Sequence, residues 1–377
     1  MNLAGHPESF RDGLRLYVHS TSDDASSAGA ESSTILRKSG EVTVNPLFVA
    51  TREAIARFEV GVESGFRRAM RSRWVLVPAL AGLWIPLLCA QDLAPRAYLI
   101  TPLHANAVTL TWSFYSGGLN FNGTIPITGA TGTYHVPVFS FYHSLNFFGR
   151  SANVTAALPY AVGTFSGDVL GTNRSAYRSG LLDLSARFSV NLLGGPAMQP
   201  QEFRKWKQKT ILGVSLKVVA PTGQYDPTKL INWGIHRWAF KPELGYSRRW
   251  GNWIVDGYGG AWLYTTNPAF FDVPVPQPQT ESPVGSLEGH LSYDFKKGRA
   301  WTSLDGNFWW GGTTALNGVP SPNTQQAGSR IGGTVSLPFT KHQSVKIAYS
   351  NGTYIRFGGN YQNLQVAWQY SWIGWPN

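Results

Sequence analysis

Thirteen polar side chains in this chain alternate with apolar residues, and their types suggest two kinds of chemistry. Acids and bases both occur, so cross-strand ion pairs can brace the wall of a sheet. The same groups, facing the inside of a barrel, can line a watery path whose charges select what passes. The residues alone leave both roles open. The thirteen candidates are Asp183, Arg187, Asn191, Lys217, Lys241, Glu243, Asp256, Glu288, His290, Asp294, Asp305, Arg330 and Lys346.

His290, Ser292 and Asp294 carry the residue types of a hydrolase triad. Alternate residues of one strand lie ~6.5–7 Å apart, which is too far for hydrogen bonds between such neighbours. The three would also face away from lipid, and no oxyanion-hole motif accompanies them. We therefore expect the protein not to be an enzyme, with an outer-membrane lipid hydrolase as the less favoured alternative.

The sequence offers no pattern for a metal or a cofactor, and we expect neither. Cys89, the one cysteine, falls in the export signal described below. The histidines after it lack metal-ligand spacing; they are His104, His135, His143, His236, His290 and His342.

The segment 179–194, SGLLDLSARFSVNLLG, shows the alternation most clearly. From 182 to 192 every second residue is apolar, and Asp183, Arg187 and Asn191 lie between them. Successive side chains of a strand point to opposite faces, so one face is apolar and the other polar. The pattern recurs down the chain and predicts an all-β fold. We expect a membrane-spanning, antiparallel up-and-down β-barrel of about 12 strands.

Connections between these segments alternate in length. Short ones fall at 147–150, 250–252, 296–299 and 341–342, and long ones at 117–132, 161–178, 221–236, 266–284 and 312–328. Such alternation is typical of barrels whose short turns face the periplasm and whose long loops face outward. The link at 195–206 is the exception, and 201–207 is expected to form a helical turn. We expect the loops 221–236 and 266–284 to fold inward as constrictions.

The chain divides into three parts. Residues 1–69 lack an apolar period able to build a core, which predicts a disordered extension. Residues 70–90 combine a basic start, an uncharged apolar run and a small last residue, which predicts a signal peptide. Residues 91–377 would form the barrel. Met70 would then be the functional start and 1–69 upstream sequence. The competing view is a genuine extension, with 74–90 as an inner-membrane anchor.

The formal net charge of +11 raises the question of a nucleic-acid partner. No basic run with interleaved aromatic residues occurs, so we expect no nucleic acid. The basic surplus instead favours anionic or aromatic carboxylate solutes. Aromatic residues at strand ends, such as Trp112 and Trp372, predict girdles at the membrane interfaces.

Within 98–372, four stretches resemble the outer-membrane family named for the meta-pathway of phenol degradation. They are NVTAALPY at 153–160, RSGLLDLSARFSVNLLGGPA at 178–197, QKTILGVSLKVVAPTGQYD at 208–226 and LINWGIHRWAFKPELG at 230–245. The resemblance implies an outer-membrane barrel, often called a transporter, that accompanies the catabolism of aromatic compounds. It implies export through the periplasm to the Gram-negative outer membrane. Its implied partners are the lipid bilayer, the outer-membrane assembly machinery and a small-molecule solute. Residues 1–69 and 373–377 depart from the family pattern.

The sequence therefore predicts a channel or transporter for the passive uptake of small organic solutes, including aromatic ones. A closed structural or adhesive barrel without a pore is the alternative. The face assignment makes its own prediction for the segment 179–194. An arginine at the lipid-facing position of Phe188 should cost ~2–4 kcal/mol of stability, and one at Ser189 far less.

Overall fold

The computed structural model describes residues 93–121, 126–229, 231–270, 275, 277–295 and 300–374. The expected extension at 1–69, the signal peptide at 70–90 and the turn at 296–299 lie outside these residues. The described part of the chain is mostly β-strand, with one short helix, α1 (Pro200–Phe203). Within that part, no helix is long and apolar enough to cross a membrane.

Seventeen strands follow one another in the described ranges. They are β1 (Ala105–Asn120), β2 (Ile127–Phe147), β3 (Arg150–Val169), β4 (Thr172–Leu181), β5 (Ser185–Leu193), β6 (Thr210–Val219), β7 (Ala239–Trp250), β8 (Trp253–Tyr264), β9 (Asn267–Phe270), β10 (Gln277–Glu281), β11 (Val284–Phe295), β12 (Ala300–Gly311), β13 (Thr314–Leu316), β14 (Val319–Pro320), β15 (Gln326–Pro338), β16 (Gln343–Ile355) and β17 (Gly358–Ile373).

Thirteen of these strands form a closed antiparallel barrel with twelve positions around its wall. The order around the wall is β1, β2, β3, then β4 and β5 together at one position, then β6, β7, β8, β11, β12, β15, β16 and β17. The last strand pairs with the first, so that Leu110 lies opposite Trp368. Closure leaves no free edge in the wall, which a sheet in lipid requires. The prediction of an all-β barrel of about 12 strands is confirmed.

β4 and β5 share one wall position because residues 182–184 interrupt the strand between them. β4 pairs with β3 over 160–169, and β5 pairs with β3 over 152–157. The alternation therefore shifts at this break. Leu182, expected on the lipid face, is instead buried in a cluster that includes Tyr134 and Trp233.

The two faces of the wall differ as alternation requires. On β5, Phe188 is 37% exposed and the next residue, Ser189, is 1% exposed. Large apolar side chains cover the outside of the other wall strands; examples are Leu110, Leu216, Leu244, Leu287, Leu304, Ile331 and Ile347. An apolar outer face with polar side chains inside is the pattern of a barrel in a bilayer.

Short connections gather at one end of the barrel, the turn end, and long ones at the other, the loop end. Two predicted loops at the loop end are largely strand. β1 reaches Asn120, and the β3–β4 hairpin turns at Leu170 and Gly171, both with positive φ. Outside the apolar part of a barrel the strands keep their hydrogen bonds but lose their apolar alternation. Apolar alternation therefore stops before the strands end, and the sequence predicted these strands to be too short.

Two other predicted loops, 266–284 and 312–328, contribute a second, four-stranded sheet in the order β14, β13, β10, β9. It lies at the loop end beside an apolar cluster that contains Trp262, Phe270 and Trp309. At the turn end, the predicted helical turn is α1, where the Gln199 N–H donates to Glu202.

Candidate functional site

The barrel encloses a cavity of about 960 Å³. β5, β6, β7, β16 and β17 contribute to its lining, together with residues of the segment 93–104 that precedes β1. Exposed Lys341 and His342 of the β15–β16 turn also line the cavity. The cavity therefore reaches the turn end of the barrel.

The segment 93–104 lies inside the barrel, and Tyr98 anchors it. The Tyr98 side chain is 1% exposed, and its hydroxyl lies 3.0 Å from both Ser215 Oγ and Glu243 Oε1. Its ring lies against Gly213 and Gly245, where an added Cβ would come within 2.4 and 2.0 Å of the ring. Glycine at these two wall positions makes room for the tyrosine.

Arg96 forms a second anchor for this segment. Its guanidinium donates to Asp294 Oδ1 at 2.5 Å and stacks over the ring of Trp301, 4.4 Å from its centroid. Arg249 donates to the other oxygen of the same carboxylate at 2.6 Å. Asp294 thus joins β7, β11 and the segment 93–104.

A charge ladder crosses three neighbouring strands beside the cavity. Arg187, Lys217 and Lys241 lie directly opposite one another on β5, β6 and β7. Glu243 accepts from Arg187 at 3.1 Å and from Lys241 at 2.8 Å. Lys241 also donates to Glu288 at 2.8 Å. Sharing of this kind satisfies buried charges, which would otherwise be costly inside the barrel.

A second polar network lies between β11, β12 and β15. His290 Nδ1 and Asp305 Oδ1 are 2.9 Å apart. The other oxygen of Asp305 accepts from Ser303 Oγ at 3.0 Å and from Thr334 Oγ1 at 2.8 Å. His290 also faces Asp256 across the β8–β11 pair.

Asp183 fills the break between β4 and β5. Its two carboxylate oxygens accept from the backbone N–H groups of Gly223 and Ile235, both at 2.7 Å. These donors belong to the β6–β7 connection, whose described residues, 220–229 and 231–238, we call the lid. Trp233 of the lid packs against Tyr134 and Phe165, with ring centroids 5.6 and 5.7 Å apart. The lid therefore folds inward at the loop end, as expected for 221–236.

The other candidates have these places. Asn191 Nδ2 donates to the Tyr98 carbonyl at 3.3 Å. Arg330 donates to Ser350 Oγ at 3.0 Å and lines a smaller cavity beside Asp305. Lys346 on β16 lines the main cavity. All thirteen candidates thus lie on the inner side of the wall, and their role in selecting solutes stays a prediction.

The geometry gives the hydrolase alternative no support. His290 is bonded to Asp305, and Asp294 is bonded to Arg96 and Arg249. The described residues contain no hydrogen bond that joins His290, Ser292 and Asp294 to one another. The same part of the chain holds no group of three or more His, Cys, Asp or Glu arranged to bind a metal.

Sequence reasoning missed the two anchors in the segment 93–104 and a buried ion pair at the loop end. The ion pair joins Arg237 of the lid to Glu281 of β10. Gly213 and Gly245 could have indicated that a side chain packs closely against these strands, as Tyr98 does, since a glycine inside a strand often marks the close approach of another group. The Arg237–Glu281 pair had no such signal, because the two residues are far apart in sequence.

Comparison with known proteins agrees with this architecture. The model of the family described as "Putative MetA-pathway of phenol degradation" matches residues 109–370, most of the barrel. The chain belongs to this family. Among curated protein sequences, none matches the chain.

Solved structures share the fold at low sequence identity. An outer membrane channel from Pseudomonas putida F1 is similar with a TM-score of 0.60 and 16% identity, over 74% of this chain and 100% of that chain. The transport unit of the autotransporter AIDA-I from Escherichia coli has a TM-score of 0.44 and 11% identity, over 79% of this chain and 97% of that chain. The second similarity is too weak to support a conclusion. The first shows that this chain shares the barrel fold of that outer membrane channel.

Proposed function

We propose that this protein is an outer-membrane channel for the passive movement of small organic solutes. The observation that carries the proposal is the cavity of about 960 Å³, lined partly by charged side chains, inside a closed barrel with an apolar exterior. Cavities of roughly 300–1,000 Å³ are typical of small-molecule sites. The family name associates such barrels with phenol degradation, so we include aromatic compounds among the solutes.

Passage through the barrel requires a rearrangement at the loop end. The cavity reaches the turn end, whereas Trp233 and Ile235 of the lid are buried in apolar clusters at the loop end. Asp183 binds the lid through two backbone N–H groups. We propose that release of the lid from Asp183 connects the cavity to the outside.

The test is recording from the refolded barrel in planar bilayers, with solute uptake by proteoliposomes measured in parallel. We expect brief openings in the wild type and longer ones in Asp183→Ala. The proposal fails if the wild type, Asp183→Ala and a variant with a shortened lid all fail to conduct and to admit phenol-sized solutes.

A closed barrel without transport is the second candidate. The double anchoring of the segment 93–104, through Tyr98 and Arg96, favours it because both anchors occupy the lumen. If the barrel is closed, no variant should conduct in the bilayer experiment. Boiled and unboiled samples should still migrate differently on gels, which shows that the barrel is folded.

A further inference from the structure

We propose that one side of the turn end binds the head groups of anionic phospholipids in the adjoining membrane leaflet. Short turns of outer-membrane barrels face the periplasm, so the leaflet is the periplasmic one. The inference goes beyond the proposed function, because it concerns the outer surface of the barrel and does not depend on the passage of a solute. The binding surface, which we call the basic rim, consists of six exposed cations: Arg150, Arg204, Lys205, Lys207, Lys209 and Arg248.

The six cations gather in one sector of the wall. Arg150 begins β3, and Arg248 lies two residues before the end of β7. The other four belong to the connection between β5 and β6, residues 194–209. At the turn end, β3, β5, β6 and β7 follow one another around the wall. Four consecutive wall positions therefore carry the basic rim.

Carboxylates are scarce in this sector. Among the described residues, none of the six rim cations forms an ion pair. The connection 194–209 contains one carboxylate, Glu202, which accepts from the Gln199 N–H at 2.9 Å. Asp294, at the turn end of β11, is bonded to Arg96 and Arg249. The basic rim therefore carries a surplus of positive charge, which the phosphate groups of anionic lipids complement.

The connection 194–209 has an apolar side against the barrel and a basic side at the surface. Met198 is buried in an apolar cluster that includes Tyr98. Phe203 and Trp206 pack against the same cluster, and their rings stack with centroids 6.2 Å apart. The apolar contacts leave the cations of the connection exposed; these are Arg204, Lys205, Lys207 and Lys209.

Backbone hydrogen bonds join the connection to the strands on both sides. The Ser151 N–H, next to Arg150, donates to the carbonyl of Gly195 at 2.9 Å. On the other side, the Arg249 N–H donates to the carbonyl of Lys209 at 2.8 Å. The strands and the connection between them thus hold the rim cations on one continuous backbone surface.

Exposed aromatic side chains place the basic rim at the membrane boundary. Arg248 alternates with Tyr246 and Trp250 on the outward side of β7, and its guanidinium lies over the Trp250 ring, 5.3 Å from the centroid. Phe148, in the turn before Arg150, is 91% exposed. Aromatic rings favour the head-group level, and arginine and lysine can lay their stems along apolar surface while their charges reach the phosphates. A soluble acidic partner would complement the cations but not the exposed rings, so the combination favours lipid.

Binding is tested by native mass spectrometry of the refolded, full barrel in a neutral detergent with equimolar dioleoylphosphatidylglycerol and dioleoylphosphatidylcholine. We expect the complex with one phosphatidylglycerol to be about fivefold more abundant than that with one phosphatidylcholine, the effect of one cation beside an anionic head group. The ratio should fall in an Arg150→Gln, Arg248→Gln double variant and reach about one when glutamine replaces all six rim cations. An Arg174→Gln, Arg356→Gln double variant is the matched control, because it removes two arginines outside the basic rim.

A soluble hexaglutamate peptide, used as a second probe, separates lipid from an acidic protein partner. Phe148→Ser should reduce the binding of both lipids and leave the binding of hexaglutamate unchanged. Different migration of boiled and unboiled samples on gels shows that each variant is folded. A wild-type ratio near one, or an equal fall in the rim and control double variants, overturns the basic rim. Tighter binding of hexaglutamate than of phosphatidylglycerol overturns the lipid assignment and indicates an acidic protein partner.

Discussion

The loop end of the lumen and the charged wall beside the cavity are held together in different ways. At the loop end, aromatic side chains pack around Trp233, and a single carboxylate, Asp183, binds two N–H groups of the lid. Beside the cavity, charges are shared through a network, as when Lys241 donates to both Glu243 and Glu288. Loss of Asp183 therefore removes the acceptor of two lid N–H groups at once, whereas the network distributes the loss of one partner over several bonds.

The difference suggests a division of roles. Apolar packing makes the loop end a barrier to water, and the lid that forms it is held by Asp183 and by the ion pair between Arg237 and Glu281. On the proposed function, the charged region would keep the cavity hydrated and set which charges it admits. The following experiments test that division, from the largest expected effect to the smallest.

Phe188→Arg tests whether the polar face of the wall is the lumen at all, because the effect depends on which face of β5 meets lipid. We expect a loss of ~2–4 kcal/mol in unfolding free energy, measured by denaturant titration in vesicles. Ser185→Arg on the same strand should cost far less, since Ser185 lines the cavity. It is a better control than Ser189, which is 1% exposed and accepts from Asn153 at 3.1 Å. Equal losses would contradict the face assignment.

Asp183→Ala tests the dependence of the lid on one carboxylate. Two buried N–H groups lose their acceptor, at a cost of about 1–3 kcal/mol each when they find no other. We expect longer open times in single-channel recordings and faster proteolysis within the lid. Asp168→Ala is the control, because Asp168 accepts from Gly171 in an exposed hairpin turn and not from a lid N–H group. Unchanged gating in Asp183→Ala would show that the other contacts of the lid, which include the aromatic packing and the Arg237–Glu281 pair, hold the loop end closed.

Gly245→Ala tests whether the segment 93–104 obstructs the cavity. A methyl group at Gly245 would lie 2.0 Å from the Tyr98 ring, so the tyrosine must move. We expect a cost of about 1–3 kcal/mol and a higher conductance per opening. Gly257→Ala is the matched control in the neighbouring strand β8, where an added Cβ has nothing within 4 Å. A conductance that is the same in both variants would argue against obstruction by Tyr98.

Asp226→Asn tests a small contribution of the Asp226 carboxylate to the stability of the lid. Hydrogen bonds from Lys229 and Thr228 lower the pKa of Asp226 from 3.8 to about 2. The ionised form is therefore favoured in the folded state, so its contribution is present above pH 4 and is lost as the pH falls toward 2. We expect lid proteolysis to increase slightly in acid in the wild type but not in Asp226→Asn. A wild-type lid whose proteolysis rate is unaffected by acid would exclude this contribution.

Part of the candidate site could be predicted because β-strand geometry is local. Alternation along Ser185–Leu193 is enough to separate Phe188 from Ser189, and the same rule puts Lys217 and Lys346 inside. The break at 182–184 could not be foreseen, because the sequence alternates through it without interruption. At the break Asp183 bonds to the lid, a contact between residues distant in sequence.

By itself, the sequence determined the repeating unit: strands with one apolar face, connections that alternate in length, and the count of strands that closes the wall. Each of these follows from side chains a few residues apart. The tertiary structure alone decided which charges share a partner, which segment occupies the lumen and which loop covers it. Those contacts join residues as distant as Arg96 and Asp294, and their distance in space depends on the closure and register of the whole barrel.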